Sequence, residues 1–224
     1  PFIKNSESGY YNSWKKISNQ RMAPHKDFLK KAPFSDLIVF SIISSSIPSS
    51  YQVQVANSSP IRYLQLFKIL SSNKTYCNRG TSGIDGSTST AVGASVASSS
   101  PMLLITGDLS FFYDINGLWN NYIKSSFRII IINNGGGGIF RILPGHKDNE
   151  IFSKFIENNH SLNAKELAKL YGFSYQNTKS KYGVKTTLKT FFKKSLKPKI
   201  LEISTPSAIS SKTLKNYFEY LSKN

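Results

Sequence analysis

Two short apolar runs, each closed by a polar pair, constrain this chain more than any other feature. Met102 to Thr106 ends in Gly107-Asp108, and Ile129 to Ile132 ends in Asn133-Asn134. Neither run alternates polar with apolar residues, so both predict strands buried on two faces, as in a parallel sheet. Between them, Ser110 to Tyr122 has the length of a crossover helix, with Ser110 as its N-cap and Gly117 as a weak point costing roughly 1 kcal/mol relative to Ala. A right-handed strand–helix–strand unit then brings both polar pairs to one sheet edge, the edge at which open parallel sheets bind ligands.

The residue types at that edge suit a hard cation. One carboxylate, Asp108, one side-chain amide, Asn134, and a backbone carbonyl from the glycine loop make half an octahedral Mg²⁺ shell, which diphosphate oxygens and water complete. A second carboxylate about 4 Å from a bound diphosphate would add repulsion on the order of 4 kcal/mol at an effective dielectric near 20, so an amide is the better second ligand. Gly135 to Gly138 lets the backbone approach a phosphate without a Cβ in the way. Alone, a glycine run is a flexible turn and a Gly-Asp pair means nothing. Together, with 24 residues between the two pairs, they form a specific constellation.

This spacing resembles the diphosphate and Mg²⁺ motif of thiamine diphosphate (ThDP) enzymes, which begins Gly-Asp-Gly and ends Asn-Asn. Leu109 stands where the third position is usually Gly. With that departure, GDLSFFYDINGL and NNGGGGIFRILPG are similar to one branch of the family, the menaquinone-pathway 2-succinyl-5-enolpyruvyl-6-hydroxy-3-cyclohexene-1-carboxylate (SEPHCHC) synthases. NRGTSGIDGSTSTAVG, Asn78 to Gly93, and ANSSPIR, Ala56 to Arg62, resemble the same branch, so the likeness runs from about Val55 to the C-terminus.

The resemblance implies roles. Asp108, Asn134 and the carbonyl of Gly136 would bind Mg²⁺, or Mn²⁺, which oxygen ligands also accept. Gly107, Leu109 and Ser110 would border the diphosphate at a helix N-terminus, beside Asn134. Gly83 and Ile84 would contact the cofactor, and Ile84 would prop it in the bent form that brings its 4′-imino nitrogen to the thiazolium C2. The implied substrates, 2-oxoglutarate and isochorismate, are dianions. Arg62 and Arg79, with Ser58 nearby, would grip their carboxylates, and Arg79 would thereby serve catalysis. Ile139, Phe140 and Leu143 would form an apolar wall beside the reacting carbon, while Asp85 is given no catalytic role. The implied reaction decarboxylates 2-oxoglutarate and adds the succinyl group to isochorismate. Another ThDP-dependent 2-oxo acid decarboxylase or carboligase is the alternative.

Such enzymes need a glutamate on a separate pyrimidine-binding domain. None of Glu7, Glu150, Glu157, Glu166, Glu202 or Glu219 lies in a segment resembling one, and the chain opens with Pro1. The expectation is therefore the C-terminal part of a longer polypeptide, inactive alone, whose partner domain comes from another subunit of a dimer or tetramer. Residues 1–32 read as the end of a preceding domain with a linking helix, and 33–224 as one ThDP diphosphate-binding domain.

Expected elements follow hydrophobic period. Helices are predicted at Phe34 to Ser45, Ile61 to Leu70, Ser87 to Ser98, Ala164 to Tyr171, Val184 to Lys194 and Ser210 to Leu221. Further strands are predicted at Tyr51 to Val55, Lys74 to Cys77, Phe173 to Gln176 and Ile200 to Ile203. The alternation predicts an α/β fold, a mostly parallel six-stranded sheet with helices on both faces. Residues 145–161 read as an irregular loop at the site mouth, with His146 and His160 turned to solvent.

A net charge of +17 raises nucleic-acid binding as a reading from another class. Against it, the basic residues read as scattered in a Lys-, Ser- and Asn-rich background without a nucleic-acid motif, so the charge is taken as a solvated surface. A third reading, a module that keeps the cofactor fold without turnover, is disfavoured by the intact set Asp108, Asn134, Arg62 and Arg79. Cys77 is the only cysteine, which excludes an intrachain disulfide and a cysteine-based metal cluster. No run is long enough to span a bilayer and no secretory signal is visible, so a cytoplasmic enzyme is expected.

Overall fold

The structure, a computed structural model, describes residues 9–145 and 148–223. Its helices are α1 (Tyr10–Lys31), α2 (Asp36–Ser46), α3 (Ser59–Leu64), α4 (Ser87–Ala97), α5 (Asp108–Tyr113), α6 (Lys165–Leu170), α7 (Lys181–Phe191) and α8 (Ser207–Lys223). Its strands are β1 (Gln52–Val55), β2 (Thr75–Cys77), β3 (Met102–Gly107), β4 (Arg128–Asn133), β5 (Ser174–Thr178) and β6 (Lys199–Ser204). They form one sheet in the order β2-β1-β3-β4-β6-β5, with every pairing parallel.

Parallel pairing explains the unbroken apolar runs. Leu103, Ile105, Ile130, Ile132, Leu201 and Ile203 point to one face, where they pack with Leu37 of α2, Tyr63 of α3, Val184 of α7 and Leu214 of α8. Met102, Leu104, Ile129, Ile131 and Ile200 point to the other, against Ala91 of α4, Phe111 of α5 and Ala168 of α6. Alternate residues of a strand face opposite ways, so two buried faces need apolar residues at every position.

The chain leaves β1 in one direction to form β2 and returns past β1 to form β3, so the strand order reverses between β1 and β3. Ligands bind at such a reversal, at the carboxyl ends of the strands. Gly107 pairs with Ile132, which puts Asp108 and Asn134 within a step of each other there.

Two expected helices are corrected. The segment after β3 is helical from Asp108, not Ser110, and α5 stops at Tyr113; a 3₁₀ turn at Ile115–Leu118 follows. Ser110 caps nothing, because it lies inside α5, whose N-cap is Gly107; its hydroxyl instead donates to the Ile84 carbonyl at 2.7 Å. The break is fixed by Asp114, which accepts from Ser89 N at 2.8 Å and Ser89 Oγ at 2.5 Å. Gly117 is not a weak point there, since a Cβ would meet Ser89 N at 2.9 Å and only glycine permits this approach. Similarly, α3 ends at Leu64 rather than Leu70, giving way to turns that bond Leu66 N to Tyr63 O and Phe67 N to Leu64 O. Nor are all basic residues scattered: Lys26, Lys30, Lys181, Lys185 and Lys189 line one groove between α1 and α7.

At the far end of β4 from the polar pair, Arg128 is 1% exposed. Its guanidinium donates to the carbonyls of Phe191 at 2.9 Å, Ser125 at 2.7 Å, Phe127 at 2.9 Å and Lys193 at 2.9 Å, fastening the end of α7 to the sheet. Arg128→Met would strand several of these carbonyls and should cost about 2 kcal/mol. Thermal unfolding would then show a lower Tm with the folded-state circular dichroism at low temperature retained; an unchanged Tm would contradict the role. Among the described residues no helix is long and apolar enough to cross a membrane.

Candidate functional site

A cavity of about 300 Å³ opens at the strand reversal. Asp108, at the first turn of α5, is 3% exposed. Its Oδ2 accepts from Gly135 N at 2.8 Å and Gly136 N at 3.0 Å, and its Oδ1 accepts from Leu109 N at 2.7 Å. One carboxylate thus anchors the glycine loop to the β3 end. Gly135 holds φ +80° and Gly136 φ +153°; a Cβ on Gly136 would also meet the Glu157 carbonyl at 2.7 Å, so glycine is required.

Asn134 Nδ2 donates to Asp36 Oδ2 at 3.1 Å, while Asn134 Oδ1 is buried without a hydrogen-bond partner. An unpaired buried acceptor beside a carboxylate is costly in a finished structure and suits a site that receives a cation. Among the described residues no three His, Cys, Asp or Glu side chains gather as a metal site. A cation here would instead take one carboxylate, one amide oxygen and backbone carbonyls, which fits the donors present. Asn133 faces away from this role: its Nδ2 donates to Glu202 Oε1 at 2.5 Å and Leu162 O at 2.9 Å.

Ser58, Ile84, Gly107, Leu109, Ile139 and Phe140 also border the cavity, together with Ser110 and Gly136. The Ser110 bond to the Ile84 carbonyl pins the Asn78–Gly86 loop beside α5, and the Ile84 side chain stays 38% exposed. Ser58 sits at φ +69°, ψ −133°, a conformation L residues rarely adopt and one found at functional sites.

Four sequence candidates lie off the cavity lining. Gly83 reaches it indirectly, its carbonyl accepting from Asn57 Nδ2 at 2.8 Å. Leu143 lines an adjoining groove with Phe140. Arg62 is exposed, with Nη1 donating to the Ser58 carbonyl at 3.1 Å, and Arg79 is exposed, with Nη1 donating to Asn57 Oδ1 at 3.3 Å. Neither forms an ion pair among the described residues, so both keep donors for an anion.

The segment read as a loop is partly built. Phe152–Ile156 forms a π-helical turn, and Glu157 after it is 1% exposed. The Glu157 carboxylate accepts from Arg141 Nε at 2.5 Å, Arg141 Nη2 at 2.6 Å and Ser207 Oγ at 3.0 Å, and its carbonyl accepts from Gly137 N at 2.5 Å. The Glu157 carboxylate raises the Arg141 pKa further above its ordinary value.

His160, expected in solvent, is instead drawn in: its side chain is 11% exposed, with Nε2 3.4 Å from Asp108 Oδ2 in a geometry short of a hydrogen bond. Its ring stands edge-on to Phe112, its Nδ1 accepts from Leu162 N at 3.1 Å, and its backbone N–H donates to the Gly135 carbonyl at 3.0 Å. The Asp108 carboxylate raises its pKa from the ordinary histidine value against the opposing effect of burial. His146 lies outside the described residues.

Asp36, not singled out by sequence, is 2% exposed and lines the cavity. Burial raises its pKa against the hydrogen bonds from Thr205, Asn134 and Ser210. A carboxylate near the start of the helix expected at Phe34 to Ser45 reads as an ordinary first-turn acid, which hid it.

Comparison with known proteins places this geometry in a family. The chain is 53% identical over 207 residues to the 2-succinyl-5-enolpyruvyl-6-hydroxy-3-cyclohexene-1-carboxylate synthase of Christiangramia forsetii, covering 92% of the chain and 36% of that protein. It is 50% identical over 223 residues to the synthase of the same name from Flavobacterium psychrophilum, covering 99% of the chain and 40% of that protein. The chain therefore spans about two fifths of the length of these relatives. An X-ray structure from Mycobacterium smegmatis, described as a thiamin diphosphate-dependent enzyme, superposes with a TM-score of 0.55 over 78% of this chain and 32% of its own, at 21% identity, a likeness of fold alone. Residues 58–203, most of the described sheet, match the family described as "Thiamine pyrophosphate enzyme, C-terminal TPP binding domain", and the chain belongs to that family.

Proposed function

We propose that this chain supplies the diphosphate- and metal-binding half of a ThDP-dependent SEPHCHC synthase. The observation that carries the reading is the buried, unpartnered Asn134 Oδ1 beside Asp108 at the strand reversal. Asp108, Asn134 and the Gly136 carbonyl would hold Mg²⁺, or Mn²⁺, which would neutralise the cofactor's diphosphate. Gly107, Leu109, Ser110 and Gly83 border the cofactor, and Ile84 supports its bend. When bound, ThDP supplies the electron sink through which 2-oxoglutarate loses CO₂ and its succinyl remainder joins isochorismate.

The chain's own side chains orient the substrates. Arg62 and Arg79 present guanidinium forks to substrate carboxylates, with Ser58 on the cavity lining and its carbonyl accepting from Arg62. Ile139, Phe140 and Leu143 keep water from the reacting carbon. The pyrimidine-binding domain, with its glutamate, comes from another subunit of a cytoplasmic dimer or tetramer, residues 1–32 lead in from a preceding domain, and 33–224 form the cofactor domain. The similarity to the two synthases over nearly the whole chain supports this reading.

The test is turnover by the full-length protein. Isochorismate consumption with CO₂ release should require ThDP, a divalent cation and 2-oxoglutarate together; a folded, ThDP-loaded protein that consumes no isochorismate would overturn the substrate assignment. Arg79→Ala should lower kcat/KM by about 10- to 100-fold, the worth of a hydrogen bond to a charged group, while ThDP affinity is kept. Unchanged constants for both substrates would remove Arg79 from the site.

A further inference from the structure

An amide ligand has two ends of nearly the same shape, one that binds a cation and one that repels it. At Asn134 the choice is made by a residue 98 positions away. Asp36 opens α2, and its carboxyl is clamped: Oδ1 accepts from Thr205 Oγ1 at 2.5 Å, and its backbone N–H donates to Ser210 Oγ at 3.0 Å. Thr205 is itself tied to the polar pair, its N–H donating to the Asn133 carbonyl at 2.9 Å. So held, Asp36 Oδ2 accepts from Asn134 Nδ2 at 3.1 Å. The reversed amide would set two acceptor oxygens against each other and aim an NH₂ group where Oδ1 now lies buried and unpaired.

We propose that Asp36 is a positioning residue that fixes the Asn134 amide with its oxygen toward a divalent cation. The proposal rests on the reading of Asn134 as a metal ligand. Thr205 acts one step further out, keeping the Asp36 carboxyl from rotating away. Outer partners of this kind orient metal ligands, and their loss weakens metal binding by about 10- to 100-fold.

The experiment is calorimetric Mg²⁺ titration of the full-length protein at saturating ThDP, with Tm measured in parallel without Mg²⁺. Asp36→Leu should weaken Mg²⁺ by about 10- to 100-fold. Asp36→Asn should restore affinity to within a few-fold of wild type, because its amide oxygen can still accept from Asn134 while its NH₂ donates to Thr205. Thr205→Val should give a smaller loss, and carries the test if Asp36→Leu does not fold. Wild-type Mg²⁺ affinity in Asp36→Leu or in Thr205→Val would overturn the proposal, as would Asp36→Asn no better than Asp36→Leu, which would assign the effect to charge rather than orientation. Asn134→Ala separates the two levels: if it binds Mg²⁺ as wild type does, the ligand reading itself fails, whereas its loss beside an unaffected Asp36→Leu defeats only the positioning role.

Discussion

Asp108→Asn in the full-length protein is expected to lower kcat/KM by about 10³-fold, equivalent to about 4 kcal/mol of transition-state stabilisation. Two losses add. The proposed protein ligand set would give up its only formal charge, and the amide nitrogen cannot accept a hydrogen bond. Asp108 now uses both oxygens as acceptors, one for Leu109 N–H and one shared by Gly135 and Gly136 N–H. Whichever way the new amide turns, one of those sides meets an NH₂ group, so either Leu109 N–H or the glycine loop loses its acceptor while the proposed metal ligand loses its charge. Steady-state kinetics with a ThDP-binding isotherm would check this; near-wild-type turnover would remove Asp108 from the proposed role.

Arg141→Met is expected to be the largest single loss of stability near the site, about 3 kcal/mol or more. Glu157 is 1% exposed and the Arg141 side chain 15%, so the substitution leaves a buried carboxylate whose main cation is gone. Ser207 Oγ remains as a donor, and Asp148 at 3.2 Å from Arg141 Nη1 would lose its partner as well. Because the Glu157 carbonyl also accepts from Gly137 N–H, loosening this turn should loosen the glycine loop. Denaturant unfolding should show the lower stability, and ThDP affinity should fall with it. Arg141→Lys would keep the charge but not the two-pronged contact, and should lie between. Equal stability of Arg141→Met and wild type would contradict this account of the loop.

Local signals made the sheet and half of the site legible in the sequence. Strands buried on two faces must be apolar throughout, so the runs Met102 to Thr106 and Ile129 to Ile132 announce the central strands, and parallel pairing then fixes where Asp108 and Asn134 end. What stayed hidden depends on partners distant in the chain. The break after Tyr113 is set by Asp114 holding Ser89, 25 residues earlier, which no helical period reveals. The π-turn at Phe152–Ile156 carries no helical period, because only Phe152 within it is buried and the next buried residue, Glu157, is an acid whose burial depends on Arg141, 16 residues away. His160 looked like any histidine in a polar stretch until the Gly135 carbonyl and Asp108 drew it inward. Asp36 carried no sequence signal at all, since its role exists only when α2 is laid beside the β4 end.

The most direct measurement is the ThDP dissociation constant of the full-length protein with excess Mg²⁺ and again with EDTA, read by calorimetry. If Asp108 and Asn134 hold a cation for the diphosphate, ThDP should bind tightly with Mg²⁺ and at least about 100-fold more weakly without it, since several kcal/mol of charge stabilisation would be removed. Equal ThDP affinity in the two conditions would contradict a metal-bridged diphosphate site.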